Sequence, residues 1–118
     1  FSRSVLPAEY AGPRNAGTAI LFLLMPGQPS AWHAVRSAEL WFFHRGGPLL
    51  LDVGRQRATA TTYVMGTDVK DAQHPQLVVP PRYWQRARAC DEPALVSCVV
   101  VPGFDFADFT MTPPCLGG

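Results

Sequence analysis

Proline and glycine interrupt this 118-residue chain at short intervals, with twelve prolines and ten glycines in all. Proline removes a backbone donor and glycine favours turns, so a long helix cannot run through so many breaks. The segments between the breaks are short and rich in β-branched and aromatic residues, which is typical of strands. The runs that we predict to be strands are residues 18–24, 31–35, 39–44, 48–53, 61–66, 75–80, 83–89 and 94–102.

This succession of short strands predicts an all-β sandwich or barrel. An α/β protein would need helical stretches of about ten residues or more between its strands, and the sequence has none. Only two weak helical turns are expected, near residues 8–12 and 106–110. We expect a single domain over residues 1–118, because half of so short a chain could not bury a core of its own.

Two of the predicted strands do not alternate between apolar and polar residues. The segments "LVV" at 77–79 and "CVVV" at 98–101 are apolar on both faces. In a small barrel one face fills the interior, so the other is expected to lie against a second sheet or a second subunit. We therefore predict a homodimer.

Composition and charge exclude several kinds of partner. The net charge is only +1 and the basic residues form no stripe, so the chain does not suit a nucleic-acid backbone. The longest apolar run ends at Pro26, well short of the roughly 20 residues that span a bilayer. We expect neither nucleic acid nor a membrane as a partner.

The cysteines and the ends of the chain bear on its compartment. Cys90, Cys98 and Cys115 form no CxxC pair, and no signal peptide is visible. We therefore expect a cytoplasmic protein whose thiols are reduced and mostly packed. Because the chain does not begin with Met, we also expect it to be processed or to be a fragment of a longer product.

The residues with the clearest chemical potential are His33 and Glu39. Side chains two positions apart share one face of a strand, so Val35 points with His33 and Trp41 with Glu39. If the two strands form a hairpin in register, His33 and Glu39 lie opposite each other on the inner wall of a barrel. Such a pair can transfer protons, supply half of a metal site, or be a buried hydrogen-bonded pair that specifies the turn. The residues alone leave these three interpretations open.

The spacing around this pair resembles the first motif of the cupin superfamily, G-x5-H-x-H-x3-E-x6-G. Gly27, His33, Glu39 and Gly46 occupy its positions, and Val35 stands where the motif has its second histidine.

The second cupin motif, G-x5-P-x-G-x2-H, aligns on the segment "HPQLVVPPRYWQ". Its proline is kept as Pro80, whereas His74 and Arg82 replace its two glycines and Gln85 replaces its histidine. Two of the four usual metal ligands of cupins are therefore replaced by other residue types.

Four blocks in this order resemble one branch, the cupin-5 family, whose members are often labelled predicted sugar epimerases. The blocks are "RNAGTAILFLL", "SAWHAVRSAELWFFHRGGPL", "PQLVVPPRYWQ" and "SCVVVPGFDFADF", and they cover about residues 14–109. The resemblance implies a double-stranded β-helix (jelly roll), usually dimeric, with a pocket in the barrel. Members usually begin earlier, with a Glu-Gly-Gly turn, so we expect this chain to lack that N-terminal segment.

The expected ligand-binding residues are those that the resemblance places in this pocket. His33, Glu39 and Gln85 would form a polar floor, and Trp41 and Tyr83 would give surfaces on which a sugar or a base can stack. The arginines that could meet an anionic ligand at the mouth of the barrel are Arg14, Arg36 and Arg82.

A tight metal site is not expected. Valine cannot ligate a metal and a glutamine carbonyl is a weak ligand compared with imidazole. We therefore predict no metal and no other cofactor, with His33, Glu39 and Gln85 as weak candidates for a loosely bound divalent ion.

Three functions follow, in order of preference. The first is a binding protein for a small polar ligand: a sugar, a nucleotide or a nucleotide sugar. The alternative is a metal-independent sugar epimerase or isomerase, with His33 as the catalytic base, Glu39 orienting it and Tyr83 as the catalytic acid. A metal-dependent oxygenase comes last, because Val35 and Gln85 replace two imidazoles.

Overall fold

The structure, a computed structural model, describes residues 16–101 and 109–111. These residues form strands joined by loops and by two single-turn 3-10 helices, Arg57–Thr59 and Val69–Asp71. No helix in this part of the chain has the length and apolar character needed to cross a membrane. The strands are β1 (Thr18–Leu24), β2 (His33–Val35), β3 (Ala38–Gly46), β4 (Leu49–Gly54), β5 (Thr61–Met65), β6 (Gln76–Val79), β7 (Trp84–Ala89), β8 (Ala94–Val101) and β9 (Phe109–Met111).

The strands form two antiparallel sheets that enclose one core. The first sheet has the order β1-β8-β3-β6, and the second has the order β5-β4-β7-β2-β9. Strands that follow each other in the sequence, such as β2 and β3, often lie in different sheets, as in a jelly roll. The all-β double-stranded β-helix predicted from the sequence is therefore confirmed.

The predicted strands agree with the observed ones to within two residues at either end, and β1 matches in full. The helical turn predicted at residues 106–110 is wrong where the structure describes it, because Phe109–Met111 pairs with β2 as a strand. An available strand edge outweighs the weak local preference of so short a segment. The other predicted turn, at residues 8–12, lies outside the described residues.

Side chains that point between the sheets form the core. Burial alternates along β8, where every second residue from Ala94 to Val100 is buried. Removing these apolar side chains from water is the main driving force for closing the two sheets on each other. The largest fully buried side chains are Trp41, Leu49, Leu51, Met65, Gln85, Val79 and Val96.

The outer surface of the first sheet is apolar and open to solvent. Leu21 is 69 % exposed and Val78 is 61 % exposed, although both lie in the middle of strands. Most of the neighbouring outward side chains on β3 and β8 are also apolar, and His44 and Ser97 form a hydrogen-bonded polar pair among them. We call this surface the apolar face, and its residues are Leu21, Leu23, Leu40, Phe42, Val78, Val99 and Val101.

The loops of the barrel meet at two ends. We call the end formed by the loops at residues 36–37, 55–60 and 80–83 the mouth, because a cavity described below opens there. The loops of the opposite end, which we call the far end, are residues 25–32, 47–48, 66–75 and 90–93.

Candidate functional site

His33 and Glu39 meet across the barrel rather than across a hairpin. His33 pairs with Gln85 in the second sheet, whereas Glu39 pairs with Val79 in the first. The prediction of an in-register hairpin is therefore wrong, because the chain turns a corner at residues 36–37 and passes from one sheet to the other. The two side chains still face each other, with Nε2 of His33 at 4.0 Å from Oε1 of Glu39.

Gln85 connects Glu39 to Trp41 through two hydrogen bonds. Its Nε2 donates to Oε1 of Glu39 at 3.0 Å, and its Oε1 accepts from Nε1 of Trp41 at 2.7 Å. Glu39 also accepts a hydrogen bond from the thiol of Cys98. Glu39, Trp41, Gln85 and Cys98 are all buried. We call these four residues together with His33 the polar cluster.

Burial controls the ionisation of the polar cluster. Loss of hydration raises the pKa of Glu39 above its ordinary value, although the charge of His33 and the hydrogen bonds from Gln85 and Cys98 act in the opposite direction. Burial, reinforced by the nearby Glu39, raises the pKa of the Cys98 thiol far above its usual range. Burial thus favours the protonated thiol of Cys98, the form that donates a hydrogen bond to Glu39.

The orientation of His33 is set by a backbone carbonyl. Nδ1 lies 3.0 Å from the carbonyl oxygen of Ala31. Because a carbonyl can only accept, Nδ1 carries the proton of the neutral ring, and Nε2 presents its lone pair toward Glu39. This arrangement holds a basic nitrogen beside a carboxyl group that takes up a proton more readily than an exposed one.

The donor atoms of the polar cluster do not fit a divalent metal. Val35, on the inward face of β2 with His33, is 4 % exposed and offers no donor atom. The carbonyl oxygen of Gln85 is engaged by Trp41, and its amide nitrogen points to Glu39. Within residues 16–101 and 109–111, no group of three His, Cys, Asp or Glu side chains could hold a metal ion.

Trp41 is held on both sides by protein. Its side chain is 1 % exposed, and its ring stacks on Phe22 with centroids 6.5 Å apart. In the structure the indole positions Gln85, and its predicted role as a surface for a ligand stays a prediction.

Tyr83 lies at the mouth, beside a cavity of about 500 Å³. Its hydroxyl accepts a hydrogen bond from Nε of Arg55 at 3.1 Å, and the Arg55 guanidinium lies 5.8 Å from the centre of its ring. Trp84, the next residue, stands under Arg57 on the outer surface, as the alternation along β7 requires. The residues lining the cavity include Val53, Arg55, Thr59, Thr61, Tyr63, Leu77 and Tyr83.

The cavity adjoins the polar cluster along the barrel wall. Val53 is the β4 partner of Gln85, and Leu77 is the β6 partner of Trp41. Both side chains pack toward the interior, so the wall of the cavity is shared with the residues that hold Gln85 in place. The polar cluster and the cavity therefore belong to one region at the mouth end.

Arg55 is one of several cavity-lining residues that the sequence analysis did not name, and it is the charged one among the described lining residues. It directly follows β4 in a loop, where a single arginine carries no signal beyond ordinary solvation. Of the arginines that were named, Arg36 and Arg82 do lie at the mouth, and the backbone N–H of Arg82 donates to the carbonyl of Val35 at 2.7 Å. Arg14 lies outside the described residues.

A second polar group, also not predicted, lies on the outer surface of the second sheet. Asp52 accepts hydrogen bonds from Arg86, Arg88 and Thr62, which come from the two neighbouring strands. Burial alone would raise the pKa of Asp52, but these hydrogen bonds and the charge of Arg88 outweigh it, so the pKa is lowered. This group joins β4, β5 and β7 on the side away from the cavity.

The described cysteines agree with the expectation of packed thiols. Cys90 is half-buried, Cys98 is buried and both are free. Cys115 lies outside the described residues.

Comparison with known proteins places these features in a family. The family model described as "Cupin superfamily (DUF985)" matches residues 2–112. A hypothetical protein from Leishmania major is 28 % identical, with a TM-score of 0.83 over 98 % of this chain and 76 % of its own. Protein SO0799 from Shewanella oneidensis is 29 % identical, with a TM-score of 0.83 over 98 % of this chain and 71 % of its own.

A dTDP sugar isomerase from Desulfovibrio desulfuricans is more distant. It is 18 % identical, with a TM-score of 0.67 over 93 % of this chain and 73 % of its own, and at this identity the likeness shows the fold alone. No curated protein has significant similarity to the chain. Since the family model covers nearly its whole length, the chain belongs to the Cupin_5 family of the cupin superfamily.

Proposed function

We propose that the protein binds a small polar ligand, such as a sugar, a nucleotide or a nucleotide sugar, at the mouth of its barrel. The observation that carries this proposal is a buried polar cluster beside a cavity of about 500 Å³. Small-molecule sites are commonly cavities of this size, mostly apolar, with a few oriented polar groups. The lining of this cavity combines apolar Val53 and Leu77 with polar Tyr83. His33 and Glu39 belong to the polar cluster behind this lining and do not themselves line the cavity.

The alternative is a metal-independent epimerase or isomerase, favoured by the orientation of His33. Because Nδ1–H is held by the carbonyl of Ala31, Nε2 is the basic nitrogen of the ring. If Nε2 takes a proton from a carbon next to a carbonyl, Glu39 at 4.0 Å would stabilise the imidazolium that forms. The resulting enolate would be reprotonated on its opposite face, with Tyr83 as the acid. In this scheme Glu39 holds the imidazole and stabilises its charged form.

We also propose that either function proceeds without a resident metal. The chemistry of the donor atoms supports this, since Gln85 turns an N–H toward Glu39 and Val35 has no donor. Metal analysis of purified, untagged protein is expected to give far less than one equivalent. Near-unit occupancy by any divalent metal would contradict the proposal.

A homodimer in the cytoplasm is the proposed setting. The apolar face supports the dimer, because Leu21, Leu23 and Val78 leave more than half of their surface open in the single chain. The free thiols of Cys90 and Cys98 support a reducing compartment.

The experiment that tests the ligand is NMR titration of the isotope-labelled protein in ordinary water with a panel of nucleotide sugars, nucleotides and sugars, followed by incubation with the same compounds in deuterated water. Ligand binding is expected to shift the amides of residues 33, 39 and 85. Exchange of a ring proton that is lost in His33→Ala, but not in His74→Ala at the far end, would establish the epimerase. Binding without exchange supports the binding protein, and shifts that avoid the mouth for every compound would contradict both.

A further inference from the structure

Arg55 is held on the cavity wall in a way that leaves most of its donors available. Its Nε donates to the hydroxyl of Tyr83, and its guanidinium lies over the ring of Tyr83. The terminal amino groups are not used by this hydrogen bond. Within the described part of the chain, no ion pair joins Arg55 to a carboxylate. An arginine fixed by an aromatic ring and without a carboxylate partner presents a preorganised fork for an oxyanion.

The rest of the cavity lining complements this guanidinium. Thr59, Thr61 and Tyr63 add hydroxyl groups, which can donate to oxygen atoms of a ligand. None of the described residues that line the cavity is acidic. Several donors around one arginine, with no competing carboxylate, suit a group with several acceptor oxygens, such as a phosphate.

The charges of the loops point the same way. In the described mouth loops, at residues 36–37, 55–60 and 80–83, there is no aspartate or glutamate. The arginines of these loops are Arg36, Arg55, Arg57 and Arg82. The acidic residues of the described loops are all at the far end, and they are Asp68, Asp71, Asp91 and Glu92. Within the described loops, this separation of charge favours an anion at the mouth and raises its association rate.

We propose that the cavity is an anion subsite in which Arg55 binds a phosphate group of a nucleotide-sized organic phosphate. The uncharged part of that ligand would extend along Val53 and Leu77 toward the polar cluster. This inference rests on the proposed function, and it narrows the ligand from small polar molecules in general to those that carry a phosphate.

The test uses inorganic pyrophosphate, uridine diphosphate and uridine as probes, titrated into the isotope-labelled protein at low salt. Pyrophosphate and uridine diphosphate are expected to shift the amides of residues 54–61 and of Tyr83. A charge-assisted hydrogen bond contributes enough that Arg55→Gln should weaken both by about tenfold or more. Arg55→Lys, which keeps the charge and loses the fork, should restore part of the affinity.

Arg45→Gln is the matched control, because Arg45 is also an exposed arginine but lies toward the far end of β3. It removes the same charge and should change the affinity for pyrophosphate less than about twofold, the small effect of a distant screened charge. Raising the salt concentration should weaken binding to the wild type more than binding to Arg55→Gln. Equal affinities in wild type and Arg55→Gln, or anion-induced shifts outside the mouth, would overturn the proposal.

The design separates this inference from the function on which it rests. If pyrophosphate does not bind while uridine still shifts the amides of residues 33 and 85, the anion subsite is refuted and the proposed function stands. If pyrophosphate binds through Arg55 while no nucleoside or sugar reaches the polar cluster, the subsite stands and the proposed function fails.

Discussion

Glu39 is a carboxyl group that the fold keeps away from water, and its titration should be visible in the stability of the protein. Its folded-state pKa is raised above the ordinary value of 4.5, so the native state holds the proton more tightly than the unfolded chain does. Stability contributed by protonated Glu39 is therefore present at low pH and is lost as pH rises through the raised pKa.

We predict that Glu39→Gln gains stability relative to wild type as pH rises from 4 to 8. The amide cannot ionise, so the variant does not bear the cost of a buried charge, and its Oε1 can still accept from Gln85. The measurement is the difference in melting temperature, variant minus wild type, at several pH values. A difference that is flat or falls with pH would contradict the prediction.

Asp52→Asn provides an internal control of opposite sign. The pKa of Asp52 is lowered, so its stabilising effect is present above its ordinary value of 3.8 and is lost as pH falls through the folded-state pKa. For this variant the melting-temperature difference should become more negative as pH rises. The melting-temperature difference should therefore rise with pH for Glu39→Gln and fall with pH for Asp52→Asn. Opposite slopes distinguish a carboxyl whose charge is disfavoured by burial from one whose charge is stabilised by Arg86 and Arg88.

The positions of Val35 and Gln85 allow a prediction about metal binding, namely that histidine at both would create a metal site. Val35 shares the inward face of β2 with His33, and Gln85 is the β7 partner of His33. Replacing both by histidine would bring three imidazoles and Glu39 together, a donor set suited to Zn²⁺, Ni²⁺ or Co²⁺. We expect Val35→His/Gln85→His to bind close to one equivalent of Co²⁺, measured by its visible absorption spectrum and by elemental analysis.

The controls for the designed metal site use the same residues. Adding His33→Ala to the double variant should weaken Co²⁺ binding strongly, and Gln85→His alone should bind poorly. The metal-free double variant should be less stable than wild type by about 1–3 kcal/mol, because the indole N–H of Trp41 loses its acceptor. Binding by the wild type as tight as by the double variant would contradict the prediction.

At the scale of elements, the sequence predicted the strands well and their partners poorly. Pro26 and Gly27 follow β1, and apolar runs between such breaks locate strands directly. The alternation of apolar and polar residues predicts which face of the sheet a side chain lies on, but it does not predict which strands pair with each other. The corner at residues 36–37, which sends β3 into the other sheet, therefore could not be read from local pattern. The barrel was predicted from the resemblance to cupins. The place of Arg55 on the cavity wall depends on the conformation of the loop after β4, which no local sequence pattern predicts.

The two glycines of the first motif lie at strand ends, Gly27 in the turn after β1 and Gly46 at the last position of β3. Gly27 and Gly46 both have positive φ, at 76° and 103°, where other residues are strained. They differ in their surroundings. A Cβ on Gly27 would meet no atom within 4 Å, whereas one on Gly46 would lie 2.1 Å from the carbonyl oxygen of Pro93.

We predict that Gly46→Ala destabilises the protein more than Gly27→Ala does. Backbone strain alone should cost about 1–2 kcal/mol at either position. Gly46→Ala must in addition push β3 away from the start of β8, where Gly46 pairs with Ala94. Urea unfolding of both variants measures the difference, and equal losses would show that the close approach at Pro93 relaxes without cost.

At the scale of the whole molecule, the outer surfaces of the two sheets differ in polarity. The outer surface of the second sheet carries Asp52 with Arg86 and Arg88, charged groups that hydrate well where they reach solvent. The outer surface of the first sheet is the apolar face. Its strands do not alternate in sequence, and folding buries only one of their two sides. Val78 belongs to the apolar face and also lines the cavity, so a subunit bound to the apolar face would lie beside the cavity.

The dimer proposed for the apolar face is tested by Leu21→Arg. Leu21 is 69 % exposed in the single chain, so the substitution changes an open position rather than the core, and the fold should persist. In a two-fold interface every residue occurs twice, so one substitution introduces two positive charges that must be desolvated. We predict that wild type sediments as a dimer and that Leu21→Arg weakens dimerisation by at least about a hundredfold, as unpaired interfacial charge costs several kcal/mol.

The control is Val69→Arg. Val69 is 67 % exposed in a far-end turn that is not part of the apolar face, and the substitution adds the same charge there. A monomeric wild type, or equal dissociation of the two variants, would show that the apolar face is not the interface.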